Sequence, residues 1–226
     1  MCERYVIPDQ TEVERQYSVV HPWWRFAPSF NVAPERNVPV IRLHEGETEG
    51  VIMRWGLIPE WAEGDASKGN ATHAPADELE HAKLFREAWV KGQRCILPAA
   101  GFYGWQLTPA GYRQPFFCRP VNPMVFGLAA LWDKSVTEED DFVIEGCALI
   151  TVPPNRLMSE INNTNTRMPA IVHCSEYDTW LKGSVREAKA LLRTYPQERM
   201  LTHPVSPRLN SLKYDDEGLV RALREG

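Results

Sequence analysis

Cys2 carries the most reactive combination of groups in the chain, because it lies one position from the start. If Met1 is removed, a free α-amine and a thiol stand on adjacent carbons. The amine titrates near ~7.7–8 and a free thiol near ~8.5, so part of each is nucleophilic at neutral pH. Such a 1,2-aminothiol can condense with an aldehyde to an imine and close to a thiazolidine. Alternatively its thiolate can attack a carbonyl with the amine as built-in base. The competing reading is an incidental cysteine beside a frayed terminus. Cys95, Cys118, Cys147 and Cys174 bring the total to 5, with no C-x-x-C pair and no histidine pair at zinc-finger spacing. Neither a disulfide framework nor a structural zinc is indicated, and no cofactor is called for.

The 226 residues exceed a modal domain of ~100–150, yet one β-rich domain of roughly 200–250 residues is ordinary, so a single domain over 1–226 is expected. At 43% hydrophobic and 24% charged, the composition is that of a soluble globular chain rather than a disordered one. The longest apolar run, Met124 to Trp132, is far short of the ~18 residues of a membrane span, and the N-terminus lacks a basic-then-apolar signal pattern. Cytoplasmic residence and no membrane partner follow by default. A net charge of −5 argues against broad binding of duplex DNA through phosphates. Arg4, Arg25, Arg36, Arg54, Arg94 and Arg167 nevertheless sit near the motifs below and leave room for a local basic groove.

The elements that must position these residues read as short strands punctuated by Pro and Gly, with a few helices between them. A first helix is expected over 11–19, ended by His21-Pro22. Strands are expected over 38–43 and 50–58, and a helix over 76–91 with Leu84, Phe85, Ala88 and Trp89 on its core face. From Arg94 the pattern is β-rich to Trp105, with further strands over 115–118, 125–132 and 142–151. A short helix over 155–161 follows Pro153-Pro154. The last third offers a strand over 170–173, helices over 176–181 and 185–195, a strand over 200–205 and a terminal helix over 217–224. Ser175-x-x-Asp178 is a loose helix-start box. This order indicates an α+β domain, mainly antiparallel β with barrel-like sheets and peripheral helices, rather than alternating βαβ units.

Seven segments in register carry a resemblance. They are Met1-Cys2-x-Arg4-Tyr5, Phe30-Asn31-Val32-Ala33-Pro34, Arg54-Trp55-Gly56-Leu57-Ile58-Pro59-x-Trp61, Asn70-Ala71, the run from Arg94 to Trp105, Arg167-Met168-Pro169-Ala170-Ile171, and His203-Pro204-Val205-Ser206 followed by Asn210. Together they resemble the SRAP family, the SOS-response-associated peptidases understood as abasic-site processing proteins, over nearly the whole chain. The resemblance implies a groove for single-stranded DNA and self-removal of Met1. It implies that Cys2 then forms a thiazolidine cross-link with the ring-opened aldehyde of an abasic site, with Asn70 and Asn162 at the catalytic positions. An unpaired substrate is required, because the sugar carbon must reach a terminal residue. Arg4, Trp55, Trp105 and Arg167 become candidates for phosphate contacts and base stacking. Core packing for the tryptophans and ion pairing for the arginines is the competing reading. No obligate protein partner is evident.

The chain departs from the family pattern where its chemistry concentrates. Gly104 stands at the position of the family's catalytic glutamate, Asn162 at that of its histidine, and Thr72 at that of an arginine, while Glu3 replaces the usual glycine after Cys2. A positioned general acid or base contributes ~10²–10⁴-fold, so proton transfer and reversal of a cross-link should suffer while the aminothiol keeps its intrinsic reactivity. Glu160, His73 and Glu3 are possible substitutes. Three functions compete: an abasic-site cross-linking protein, a catalytically degenerate DNA-binding or interaction protein, and an unrelated N-terminal-cysteine amidohydrolase that the other six segments do not support.

Overall fold

β-branched and aromatic residues between the prolines assemble two sheets, mostly antiparallel, in the computed structural model, which describes residues 3–19, 21–137 and 142–223. The strands are β1 (Tyr5–Ile7), β2 (His21–Pro22), β3 (Ser29–Val32), β4 (Asn37–His44), β5 (Glu47–Trp55), β6 (His73–Pro75), β7 (Arg94–Ala99), β8 (Gly101–Leu107), β9 (Arg113–Pro120), β10 (Phe126–Val136), β11 (Val143–Val152), β12 (Met168–Pro169), β13 (Ile171–Val172) and β14 (Met200–Pro204). The helices are α1 (Gln10–Tyr17), α2 (Arg86–Val90), α3 (Arg156–Ile161), α4 (Tyr177–Lys182) and α5 (Val185–Leu191). One sheet runs β14-β9-β8-β1-β3. The other runs β12-β11-β10-β7-β4-β5-β2, with β13 added to β10 and β6 to β11. The α+β architecture read from the sequence is therefore the one observed. No described helix is long and apolar enough to cross a membrane.

Local signals explain the short helices. The Asp9 side chain accepts from the Thr11 amide to start α1, which buries Val13 and Tyr17, and Asn155 caps α3 through the Met158 amide. Ser175 caps nothing in the expected sense; the His173 side chain accepts from the Ser175 amide instead. The complete capping box is Ser184 with Glu187, at the start of α5.

Three helices are shorter than their periodicity suggests: α5 ends at Leu191 rather than 195, and two others are cut back further. Only Arg86–Val90 of the expected 76–91 helix is helical. The preceding turns are tied down by tertiary contacts, Asp77 to Arg167 and Glu80 to Lys189. The expected terminal helix is a single 3-10 turn, Glu217–Val220, capped by Asp216 and anchored by buried Leu219. Gly218 within it disfavours a longer helix by ~1 kcal/mol relative to Ala.

The main core lies under the nine-stranded sheet and includes Trp55, Trp89 and Ile96. A smaller cluster around Tyr103, Trp105, Phe117 and Leu209 covers the other face of the five-stranded sheet. β1 joins the two regions. Tyr5 lies opposite Phe102 of β8 and its ring meets Trp55 edge-on at 5.4 Å.

Candidate active site

Met1 and Cys2 lie outside the described residues, so the site is defined by what surrounds the first described residues. Glu3 is exposed, the Arg4 guanidinium donates to the Glu3 carbonyl at 2.8 Å, and the Arg4 carbonyl accepts from the Tyr103 amide at 3.1 Å. β1 thus begins alongside Tyr103 and Gly104. The Tyr103 hydroxyl donates to the Phe30 carbonyl at 2.7 Å. Burial pushes that phenol above its ordinary pKa, and the Asp215 charge acts in the same direction.

Gly104 forms a closed corner. A Cβ there would stand 2.7 Å from Asn162 Oδ1 and 2.7 Å from Ile161 Cγ2, closer than side-chain carbons pack. Asn162 ends α3, is 4% exposed, and its Oδ1 accepts from the Trp105 amide at 2.9 Å. Its Nδ2 is buried with no hydrogen-bond partner among the described residues. The Trp105 indole donates to Asn210 Oδ1 at 2.8 Å. An amide here can orient an oxygen but cannot carry a proton. Positions 104 and 162 are therefore coupled in space, since the asparagine oxygen occupies the approach a side chain at 104 would need.

Asn70 forms an open corner. It is exposed, and its Oδ1 accepts from Arg54 Nη1 at 3.0 Å while its Nδ2 points to Glu35 Oε1 at 3.4 Å. Arg54 Nη2 lies 3.3 Å from the same Glu35 oxygen, and Arg54 Nη1 also donates to the Gly56 carbonyl at 2.8 Å. A Cβ at position 56 would fall 2.1 Å from Arg54 Nη1, so a side chain there would push the guanidinium away from Asn70. Glu35 adopts φ +70°, a left-handed conformation uncommon outside glycine. Its amide donates to the Trp55 carbonyl at 2.7 Å, which fixes the turn that presents the carboxylate. The sequence reading missed Glu35, and its only sequence signal is the turn chemistry after Pro34.

The other expected contacts are placed differently. Trp55 is 0% exposed, with its indole donating to the Thr72 carbonyl at 2.8 Å, and Trp105 is 8% exposed. Both rings pack inward and present no free face for a base. Arg167 is half-buried, bonded to Thr151 Oγ1 and to the Thr151 carbonyl, and ion-paired with Asp77 at 2.7 Å. The Asp77 carboxyl is held below its usual range by a backbone hydrogen bond and by Arg167. Arg94 belongs to the core rather than to a groove: it is 4% exposed and donates to the Trp180 and Gly183 carbonyls.

Among the possible substitutes, Glu160 pairs with Arg156 at 2.9 Å along α3. His73 Nδ1 lies 2.9 Å from Thr72 Oγ1, with its ring 5.8 Å from Trp55. The buried cysteines are poor nucleophiles, since burial pushes the Cys147 thiol up to about 12 and raises Cys95 as well. Among the described residues, no group of three His, Cys, Asp or Glu side chains is arranged to hold a metal.

The comparisons with known proteins agree with a mainly antiparallel α+β fold whose first strand pairs with β8 and packs Tyr5 on Trp55. The SOS response associated peptidase (SRAP) family model matches residues 1–212, and the chain belongs to that family. It is similar to the abasic site processing protein YoqW of Bacillus subtilis, 29% identical over 98% of this chain and 100% of YoqW. It is also similar to the abasic site processing protein HMCES of Pongo abelii, 32% identical over 84% of this chain, which spans 65% of HMCES. A crystal structure of a protein from Bacteroides thetaiotaomicron shares the fold, with TM-score 0.89 and 24% identity over 99% of this chain and 100% of that one. A Bordetella bronchiseptica protein follows with TM-score 0.78 and 26% identity over 91% and 100% of the two chains.

Proposed function

We propose that this protein processes abasic sites in single-stranded DNA by covalent capture through Cys2. After Met1 is removed, by the protein's own chemistry in this reading, the α-amine adds to the C1′ aldehyde of the ring-opened sugar. Water leaves to give the imine. The Cys2 thiol then adds across the C=N bond and its proton passes to nitrogen, so the thiazolidine forms with net loss of one water.

The observation that supports this reading most directly is the end-to-end similarity to YoqW, which carries the match across both the Cys2 region and Asn70. Asn70, held exposed by Arg54 and Glu35, orients the sugar oxygens, and Arg4 is the nearest described cation to the chain start. Asn162 takes the histidine's place as a neutral hydrogen-bonding group, so capture proceeds without the family's acid–base pair and reverses slowly. Trp105 serves the site by holding Asn162 through its amide. Trp55 supports the start of β1 by packing against Tyr5, and Arg167 ties Thr151 to Asp77.

The closed corner also favours a second reading, a DNA-binding member without chemistry, because no proton-transferring side chain occupies 104 or 162. Intact mass before and after incubation with a single-stranded oligonucleotide carrying one abasic site separates the two. Capture predicts loss of Met1 and an adduct equal to protein plus oligonucleotide minus one water, stable to denaturation and absent in Cys2→Ala. Retained Met1 with no adduct would leave binding alone.

A further inference from the structure

A cavity of about 340 Å³ opens next to the open corner and takes no part in the chemistry above. Ile7, Val32 and Phe26 supply apolar walls, while Asn31, Arg36 and Asp215 supply polar groups of opposite kinds. It adjoins the Asn70 cluster through the backbone: Arg36 follows Glu35, and Asn37 pairs with Arg54 in the β4–β5 ladder.

The polar groups are built in. The Asp215 carboxylate is anchored by the Phe30 amide on one oxygen and by the Ser29 hydroxyl at 2.8 Å on the other, and each oxygen keeps a lone pair for a further donor. Asn31 is 7% exposed, and its Nδ2 is consumed by the Leu209, Ser211 and Tyr214 carbonyls. Its Oδ1 is buried with no partner among the described residues, so Asn31 holds the wall in place and the Asp215 carboxylate is the acceptor the cavity offers. An anchored carboxylate beside an arginine suits a group that carries both donors and acceptors, which on a DNA strand is a base edge rather than a phosphate. Of the four DNA bases, guanine alone presents two adjacent N–H groups, N1 and N2, for one carboxylate, and it carries O6 and N7 acceptors for an arginine such as Arg36.

We propose that this cavity takes an unpaired guanine flanking the abasic site, which makes recognition depend on sequence context. The proposal rests on the abasic-site reading for its choice of polymer but not on the covalent step. Fluorescence anisotropy with single-stranded oligonucleotides carrying a tetrahydrofuran analogue tests it, because that analogue has no aldehyde and cannot cross-link. With dG, dA, dC or dT on either side of the analogue, the dG oligonucleotide should bind roughly tenfold tighter, the size of one good base-edge contact. Asp215→Asn should erase the preference while all four oligonucleotides still bind, and Arg36→Gln should reduce it. Equal affinity for all four flanks, a preference unchanged in Asp215→Asn, or no binding to any of them would overturn the proposal. A dG preference without a mass adduct would sink only the covalent reading, and adducts forming equally fast in every context would sink only this one.

Discussion

Two polar corners, each centred on an asparagine, behave oppositely. At the open corner, Asn70 is exposed and shares hydrogen bonds with two charged side chains that remain partly in solvent, Arg54 and Glu35. At the closed corner, Asn162 is buried and committed to a backbone amide, with a glycine against it where a longer side chain would collide. An asparagine that faces solvent can turn toward a substrate at little cost. One that satisfies a buried N–H cannot do so without orphaning it, at ~1–3 kcal/mol. The difference shows that the space beside Gly104 is filled by packing, so a glutamate placed there would have to displace Asn162 or Ile161.

The largest expected effect tests the floor under both corners. Trp55→Ala should destabilise the fold by ~3–5 kcal/mol, as for other fully buried aromatic residues, read by urea unfolding. A cost below about 1 kcal/mol would mean that the ring is not core and would return it to the solvent side of the comparison.

Next comes the closed corner itself. Gly104→Glu should cost ~1–3 kcal/mol through overpacking against Asn162 and Ile161. In a double-mutant cycle with Asn162→Ala, the combined loss should be smaller than the sum, with a coupling of ~0.5–3 kcal/mol. Strict additivity would separate the two positions and dissolve the idea that they are coupled in space.

The smallest stability effect belongs to the open corner. Arg54→Gln breaks a partly solvated pair with Glu35 and should change stability by less than ~1 kcal/mol. It also releases the Asn70 oxygen, so the rate of adduct formation on an abasic oligonucleotide should fall on the order of tenfold, the equivalent of one hydrogen bond of ~1.4 kcal/mol. A large loss of stability with an unchanged rate would reverse the assignment of the two corners.

Much of this molecule is legible in its residues. The longer strands follow from apolar runs between prolines and match within a few residues, whereas β1, β2, β3, β6 and β12 are not legible because strands this short owe their existence to the neighbours they pair with. The helix expected over 76–91 was not legible in its true extent, since Asp77 and Glu80 are held by partners far along the chain. Asn70 stood out because it belongs to a recognisable segment. Glu35 and Asp215 did not, because an acidic residue in a turn carries no local mark of the arginine or the backbone amide it will meet. Trp55, Trp105 and Arg94 could be read from sequence as surface groups or as core, and only packing chose between the two.

The sequence by itself places a cysteine at position 2, an amide at 162 and no carboxylate at 104. Those are properties of single residues, and the chain states them outright. Exposure, the contact between Gly104 and Asn162, and the cavity beside Arg36 were decided only in three dimensions. Each depends on which distant segments exclude water from a given atom, and that is a property of the packed structure rather than of any one stretch of it.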